Sequence, residues 1–289
     1  MEKIPAFYFE NNKLDLLANN YRDDFLNAIP FNHVIIDNIF PEYILDLLIE
    51  EFPDDKTPAW IEWGEGPTIP HPKRNRRKRG LHNERYFGPF TRHFMGQLIS
   101  HTFIQFLTNL TNIENIIVDP SFSSCGLHST GRGGNLMVHA DSNRHPIKSG
   151  DCIHQVLNLI LYINKDWKDE YGGDLELWNR ERTKCIKSIK PIYNRCVIFD
   201  TGKYSYHGHP HPLNCPKDIR RNSIASYYYT VDRKSGPNYS GIMRKTNWIP
   251  TTENDKSWSK KITLRKILVK ITPPIITDFI KKLSVANRS

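Results

Sequence analysis

The sequence of 289 residues lacks the features of a membrane or secreted protein. It has no apolar run approaching the roughly 18 residues of a spanning helix, so we expect no transmembrane segment. No basic flank followed by a long apolar stretch stands at its N terminus, so no secretory signal is expected either. The five cysteines form no CxxC pair, and an odd number without a signal indicates free thiols in a reducing compartment. These absences predict a cytoplasmic protein.

Acidic and basic side chains are both present but are segregated along the chain. The formal net charge of +9 is the sum of −10 over residues 1–72, +6 over KRNRRKR (73–79), +3 over 80–232 and +10 over 233–289. The basicity therefore lies in one short run and in the C-terminal segment. Two interpretations stay open: these residues are solvated surface, or they bind phosphate groups or an acidic partner.

Residues 1–114 predict a helical N-terminal region that supports the remainder of the chain. Apolar periodicity predicts helices at 13–28, 41–52 and 90–112. The segment 53–89 is rich in proline, glycine and charge, which predicts a long basic loop. Six cations in seven residues repel one another, so we expect KRNRRKR to be mobile by itself and to act as a lid or docking surface.

The rest of the chain has a different sequence pattern from residues 1–114. Residues 115–232 contain many short strand patterns separated by turn sequences such as GRGG, KDWKDEYGG and HPHPLNCPKD. Many short strands behind a few helices predict an α+β, mainly β fold in which the strands form a jelly roll. Residues 233–289 predict a basic C-terminal extension that is helical over 262–283. We expect the whole to form one structural domain.

A possible metal site begins at His139-Ala-Asp141, at the end of the apolar stretch NLMVHAD. On an extended backbone residues i and i+2 point to the same side, so the imidazole and the carboxylate can share one metal ion. The pair alone is weak evidence, because 12 histidines and 31 acidic residues give about one such pair by chance. His82-Asn83-Glu84 is a second instance, and we interpret it as incidental.

A histidine cluster further along the chain strengthens the evidence for a metal site. The stretch NRCVIFDTGKYSYHGHPHP runs from an apolar strand into His207, His209 and His211. Two histidines and one carboxylate form the facial triad of non-haem Fe(II) sites, which leaves coordination positions open. Arg221 and Ser223 then face one way on a further strand and suit a buried carboxylate.

At these residues the sequence resembles the 2-oxoglutarate/Fe(II)-dependent oxygenases, and within them the prolyl-4-hydroxylase-like group. The resemblance rests on six stretches in the expected order: GGNLMVHADSNRHP, LNLILYINKDW, YGGDLELW, NRCVIF, YHGHPHPL and RNSIASYYYT. It implies a double-stranded β-helix with Fe(II) as cofactor, 2-oxoglutarate as cosubstrate and ascorbate as a candidate reductant.

The resemblance also implies roles for individual residues. His139, Asp141 and His207 would ligate Fe(II), with His209 and His211 as rivals for the third position. Arg221 would pair with the far carboxylate of 2-oxoglutarate, helped by Tyr162 and Ser223, with Arg220 as a weaker alternative to Arg221. The substrate region would include His209, His211 and Arg144.

The expected function is hydroxylation of an unactivated C–H bond in a small-molecule or peptidyl substrate, with a prolyl or another amino-acid residue as a candidate. Related halogenases lack the carboxylate ligand, so Asp141 favours hydroxylation. Collagen-type prolyl hydroxylases usually have lysine at the Arg221 position, which weakens a claim for proline itself.

An oxidative nucleic-acid demethylase is one alternative function. Such an enzyme would show a second arginine at position 227, which is tyrosine here, so nucleic acid is not the expected partner. A non-catalytic jelly-roll binding protein is the other.

Overall fold

The computed structural model describes residues 7–63, 75–120, 122, 125–141, 144–146, 152–232 and 247–248, and the fold is described for these residues. Within them the helices are α1 (Asn11–Leu26), α2 (Glu42–Glu50), α3 (Pro89–Leu98) and α4 (His101–Thr111). The strands are β1 (His33–Asp37), β2 (Ile61–Trp63), β3 (Asn75–Leu81), β4 (Ile117–Val118), β5 (Gly126–Ala140), β6 (Arg144–Pro146), β7 (Cys152–Tyr162), β8 (Leu175–Trp178), β9 (Cys185–Ile189), β10 (Arg195–Asp200), β11 (His207–His209), β12 (Arg221–Asp232) and β13 (Asn247–Trp248).

The strands form one curled antiparallel sheet in the order β1-β10-β7-β12-β5-β11-β8-β9, with the remaining strands paired onto it. The long strand β5 makes the curl. It pairs with β12 over Gly126–Thr130 and with β11 between Leu136 and His139. Because β5 changes partner along its length, β12, β7, β10 and β1 form one wall and β11, β8 and β9 form the other. The predicted architecture, mainly β with N-terminal helices, is confirmed.

The helices cover the outer face of the first wall. On β7, Leu157, Leu159 and Leu161 alternate with Asn158 and Ile160, so the leucines face outward into the main hydrophobic core. That core also contains helical side chains with essentially no exposed surface, such as Phe103. β7 is largely buried on both faces because one face meets the helices and the other faces the interior of the curled sheet.

The single helix predicted over 90–112 is wrong. The chain forms two helices, α3 and α4, and Ser100 lies at their junction in an extended conformation. The Ser100 hydroxyl accepts a hydrogen bond from the Phe103 backbone N–H. A serine N-cap satisfies an otherwise orphan donor at the start of a helix, so it favours a new helix over the continuation of the old one.

The long loop predicted over 53–89 is also wrong over much of its length, and the N-terminal region is therefore not purely helical. β2 and β3 form a hairpin-like pair, and β3 extends along β5. Thus most of the basic run KRNRRKR belongs to a strand. Arg79 is buried, forms an ion pair with Asp55 and lies 4.2 Å from the ring centroid of Trp60. These contacts and the backbone ladder offset the repulsion among the cations.

Two further segments differ from the sequence expectation. GRGG, predicted as a turn, lies inside β5, and the predicted loop after Asp141 contains β6. Of the expected C-terminal extension only β13 is described, and it pairs with β5. The helix predicted over 262–283 lies outside the described residues. No helix in the described part of the chain is long and apolar enough to cross a membrane.

Candidate active site

Three potential metal ligands meet between the two walls of the sheet. His139 lies near the end of β5, Asp141 directly follows it, and His207 begins β11 as the cross-strand partner of His139. One ligand atom from each residue lies within 4.8 Å of the others, and all three side chains are buried. The sheet register therefore brings together the three residues that the sequence predicted as a triad.

Hydrogen bonds fix how both histidines face the third ligand. The Nδ1 atom of His139 lies 2.8 Å from the Met137 carbonyl, and that of His207 lies 2.9 Å from the Ser205 carbonyl. Because a carbonyl only accepts, Nδ1 is the donor in both contacts, and each Nε2 faces the third residue of the triad. These Nε2 atoms lie 3.3 and 3.4 Å from the Asp141 carboxylate oxygens. Such an oriented His-Asp-His set fits Fe(II).

The electrostatics of the triad favour the protonation states that a divalent cation needs. Burial by itself raises the pKa of the Asp141 carboxyl, but in the metal-free site the imidazoles of His139 and His207, in their protonated form, outweigh burial by charge and hydrogen bonding and hold that pKa well below its usual range. Burial also lowers the pKa of His139. An ionised carboxylate and a neutral imidazole are the ligating forms of these side chains.

Gly208 lets β11 approach β5 closely between two histidines. A Cβ at this position would lie 2.8 Å from the Leu136 carbonyl oxygen and 2.9 Å from that of Met137. Both atoms belong to the backbone of β5 and cannot move aside. The small residue in HGH therefore maintains the strand contact on which the position of His207 depends.

Arg221 lies at the start of β12 and is held by two hydrogen bonds. Its Nε donates to the Gly173 carbonyl at 2.7 Å, and its Nη2 donates to the Tyr162 hydroxyl at 2.9 Å. Tyr162 has no exposed surface and Arg221 is 6% exposed. Gly173 adopts a φ of +79°, and a Cβ there would meet the side chains of Leu213 and Arg221. The two bonds leave the remaining guanidinium N–H groups for a ligand.

The triad and Arg221 line one cavity. On the β12 side, the cavity wall is formed by cross-strand neighbours, and residues directly opposite each other on adjacent strands share a face of the sheet. Ser223 pairs with His128 on one neighbour and with Tyr162 on the other. The residues lining the cavity are Lys78, His128, Thr130, Leu136, His139, Asp141, Asn158, Ile160, Leu175, His207, His209, Arg221, Ser223, Ala225 and Tyr227. The apolar members keep bulk water from the polar ones.

The predicted substrate-region residues lie in different places in the structure. His209 is 2% exposed and lines the cavity, as a substrate-region candidate would. Since His209 follows His207 by two residues on β11, both rings face inward. His211 is largely exposed and lies 3.6 Å from the Glu176 carboxylate, away from the triad. The side chain of Arg144 lies outside the described residues.

Sequence reasoning missed Lys78 as a cavity residue because the whole basic run was assigned to a loop. On β3 the side chains alternate, so Lys78 faces the cavity while its neighbour Arg79 packs on Trp60. Burial, and then the positive charge of Arg221, lowers the pKa of Lys78 to about 8. The period-2 alternation of a strand could have indicated that Lys78 faces the interior, but the run of cations favoured a loop instead.

Comparison with known families agrees with this geometry. Residues 125–229 match the family model described as the 2OG-Fe(II) oxygenase superfamily. These residues form a 2OG-Fe(II) oxygenase domain. The domain spans β5 to β12 and includes the triad, Tyr162, Arg221 and Ser223. A search of the curated proteins finds no match.

Solved structures resemble the oxygenase in fold. A prolyl hydroxylase from Trichoplax adhaerens, in complex with a hypoxia inducible factor oxygen degradation domain peptide fragment, matches 75% of this chain and 91% of its own, with 17% identity and a TM-score of 0.54. Prolyl 4-hydroxylase from Phytophthora capsici matches 81% of this chain and 69% of its own, with 18% identity and a TM-score of 0.48. HygX from Streptomyces hygroscopicus, with nickel, 2-oxoglutarate and hygromycin B bound, matches 78% of this chain and 96% of its own, with 11% identity and a TM-score of 0.49.

The family match and the donor set together confirm the predicted enzyme class. The protein is a dioxygenase whose cofactor is Fe(II) and whose cosubstrate is 2-oxoglutarate. The predicted double-stranded β-helix is confirmed by the prolyl hydroxylase fold. The non-catalytic alternative loses its basis, because a buried ligand set and a buried arginine are both present in one cavity.

Proposed function

We propose that the protein hydroxylates an unactivated C–H bond of a peptidyl substrate. In this proposal His139, Asp141 and His207 hold Fe(II), and Arg221 holds the far carboxylate of 2-oxoglutarate. One observation carries the proposal: the triad and Arg221, which lie on different walls of the sheet, line the same cavity. A dicarboxylate placed between them is bound at both ends.

The bound Fe(II) and 2-oxoglutarate supply the oxidising chemistry, in which 2-oxoglutarate, O2 and a C–H bond become succinate, CO2 and an alcohol. The chain itself supplies orientation. Burial raises the pKa of Tyr162, so its hydroxyl keeps a proton. That hydroxyl accepts from Arg221 and donates its own proton to the far carboxylate, with Ser223 on the same rung as a second donor. The apolar wall residues Leu136, Ile160 and Leu175 limit the entry of water.

The type of reaction depends on the third ligand. Asp141 would occupy the coordination position that related halogenases leave to the halide, so hydroxylation is favoured. Tyr227 lines the cavity where a nucleic-acid demethylase would place its second arginine. The cavity chemistry therefore gives no support to nucleic acid as substrate.

A basic cleft formed by chain neighbours of cavity residues supports a peptidyl substrate with acidic character. We define the basic cleft by its cationic residues Arg77, Arg132, Lys217 and Arg220, which surround a volume of about 780 Å³ that Glu62 also lines. Gly131 of the cleft directly follows Thr130 of the cavity wall, and Arg220 directly precedes Arg221. Four cations beside one carboxylate attract an acidic chain. The related Trichoplax adhaerens enzyme was solved with a peptide fragment.

The experiment is a turnover assay with purified protein, Fe(II) and 2-oxoglutarate, with peptides that differ only in acidic or amide residues. Wild-type protein should form succinate in a reaction that depends on Fe(II) and 2-oxoglutarate, and an acidic peptide should gain the mass of one oxygen atom. Asp141→Ala is the matched inactive control. Succinate formation by wild type equal to that of Asp141→Ala would contradict the proposal.

A further inference from the structure

The strand β1 has one edge that no other strand covers within the part of the chain that the structure describes. β1 stands at one end of the strand order of the curled sheet, and β10 is its partner there. Its five residues, HVIID, pair with β10 without a bulge and include neither proline nor lysine. Proteins usually protect a free strand edge with such features, because an unprotected edge pairs readily with another strand. β1 is therefore open to pairing along its second edge.

The hydrogen bonds to β10 show which backbone groups of β1 point to the free edge. Asn32 accepts a backbone hydrogen bond from the last residue of β10, and Asn38 donates one to the residue before β10. In an antiparallel pair, consecutive residues alternate between bonding to the partner strand and pointing away from it. Because Asn32 and Asn38 are an even number of residues apart, the even-numbered residues bond to β10. The N–H and C=O groups of His33, Ile35 and Asp37 therefore point to the free edge.

A groove of about 320 Å³ adjoins β1. Three consecutive residues of the strand, His33, Val34 and Ile35, line this groove. Since successive side chains of a strand point to opposite faces, a groove lined by three residues in a row lies along the edge and not on one face. Ile29, which is 73% exposed, and Lys187 of β9 also line it. The groove thus combines backbone hydrogen-bonding groups with an apolar flank, which suits an extended chain.

The sequence of β1 is complementary to itself in the antiparallel direction. A twofold axis at Ile35 pairs Ile35 with its own copy, Val34 with Ile36 and His33 with Asp37. Each residue that points to the free edge then meets another such residue, so all of them form hydrogen-bonded pairs. Apolar β-branched side chains lie opposite one another at the three central positions, and cross-strand pairs of this kind stabilise a sheet. This register leaves no backbone group of the free edge without a partner.

The charges near the two ends of β1 fit the same register. Burial, and to a smaller extent the positive charge of Lys187, lowers the pKa of His33, so Lys187 lies near the His33 end. At the other end the Asp37 side chain is 48% exposed, and its carboxylate accepts from Arg195. Antiparallel pairing places Asp37 of one copy opposite His33 of the other and therefore beside Lys187. Opposite charges on neighbouring strands attract each other, and the twofold axis repeats the contact.

We propose that the free edge of β1 pairs antiparallel with β1 of a second copy of this chain, around a twofold axis at Ile35. The inference goes beyond the proposed function, because the groove and the active-site cavity share no lining residue. Pairing of five residues in each chain is a small interface, so the dimer is weak and depends on protein concentration. An isologous contact uses the same surface on both copies, so the assembly closes at two chains and does not grow into a filament.

Sedimentation of the full chain loaded with Mn(II) tests the dimer over a wide range of protein concentration. The mass should rise from that of one chain to that of two. Lys187→Glu places a carboxylate beside Asp37 of the other copy and should raise the dimer dissociation constant several-fold, because like charges on neighbouring strands repel each other. Lys184→Glu is the matched control, since Lys184 is exposed near β9 and does not line the groove. It should dimerise like wild type.

Amide hydrogen exchange of wild-type protein, measured by NMR, tests the register. The amides of Val34 and Ile36 bond to β10, so they should be protected at every concentration. The amides of His33, Ile35 and Asp37 should exchange freely in the single chain and become protected as the dimer forms. This alternation is specific for edge pairing, because a contact through side chains alone would leave the three amides without a hydrogen-bond partner.

Four results would overturn the inference. The first is the mass of a single chain at every concentration. The second is a dimer in which the three edge amides still exchange freely, because another surface would then hold it. The third is protection of these amides where the protein is a single chain, because another segment of the same chain would then cover the edge. The fourth is equal weakening by Lys187→Glu and Lys184→Glu, which would show a general effect of charge. None of these results bears on the proposed function, which the succinate assay tests separately.

Discussion

His139 and His207 are direct cross-strand partners, and their ring centroids lie 4.5 Å apart. They are distant in sequence, so the register of β5 against β11 sets the distance between the two imidazoles. Each ring is also fixed by a hydrogen bond to a carbonyl two residues earlier on its own chain segment. A slip of one residue would turn one imidazole to the other face of the sheet, so the metal site depends on correct strand pairing.

Replacement of His139 or His207 by alanine should abolish tight binding of a divalent cation. Each change removes one of the three candidate ligands, and the two that remain do not form a facial triad. Calorimetric titration with Mn(II) checks the result, with Fe(II)-dependent succinate formation as a second measurement.

His211→Ala is the matched control for this prediction, because His211 is on the surface and its side chain is largely exposed. It should bind Mn(II) like wild type. Loss of Mn(II) binding in His211→Ala together with normal binding in His207→Ala would show that His207 is not the third ligand.

Arg221→Ala should weaken 2-oxoglutarate binding to the Mn(II)-loaded protein by about 1.5–3 kcal/mol, the typical contribution of hydrogen bonds to a charged group. The affinity for Mn(II) alone should change little, since Arg221 is not a ligand. Tyr162→Phe should cause a smaller loss of about 0.5–1.5 kcal/mol, because it removes one neutral hydroxyl.

Arg220→Ala tests the neighbouring arginine that the sequence left as an alternative. Arg220 donates to the Ser129 hydroxyl and belongs to the basic cleft, not to the cavity. It should leave 2-oxoglutarate affinity close to that of wild type. A larger loss in Arg220→Ala than in Arg221→Ala would move the carboxylate site to Arg220.

The double substitution Arg77→Gln and Lys217→Gln should raise the KM for an acidic peptide several-fold at low ionic strength and leave uncoupled 2-oxoglutarate decarboxylation unchanged. Both residues line the basic cleft and neither lines the cavity. The difference should shrink as salt is added, since surface charges are screened over about 8–10 Å at 0.1–0.15 M.

The control for the basic cleft removes the same charge elsewhere, by Lys184→Gln and Lys187→Gln on an exposed part of the protein. It should keep the KM of wild type. Equal KM changes in the two double variants would show that net charge matters and that the cleft does not.

Phe103→Ala should lower the free energy of unfolding by about 3–5 kcal/mol, as expected for loss of a large core side chain. Phe103 is fully buried and packs on Phe9, Phe106 and Tyr228, with the Phe9 centroid 4.8 Å away. Denaturant titration measures the change. Tyr43→Ala is the exposed control, and a difference below about 1 kcal/mol between the two variants would contradict the packing described.

The sequence by itself determined the mainly β fold and gave candidates for the metal ligands and for the carboxylate-binding strand. His139 and Asp141 are two residues apart on an extended segment, and so are Arg221 and Ser223, so local geometry alone places each pair on one face. The short strand patterns of residues 115–232 likewise predicted strands in the region that contains β7. These features depend on neighbours in the chain, which a sequence displays directly.

Only the tertiary structure decided which distant residues meet. Lys78 belongs to a run of cations that by itself predicts a mobile loop, yet pairing of β3 with β5 turns this lysine into the cavity and Arg79 toward Asp55 and Trp60. The sequence left His209 open as a rival third ligand or a substrate-region residue, and the close contact of Gly208 with β5 accompanies its burial inside the cavity. In both cases the energy of strand pairing and burial comes from residues far away in the sequence, and it outweighs the local preference of the segment.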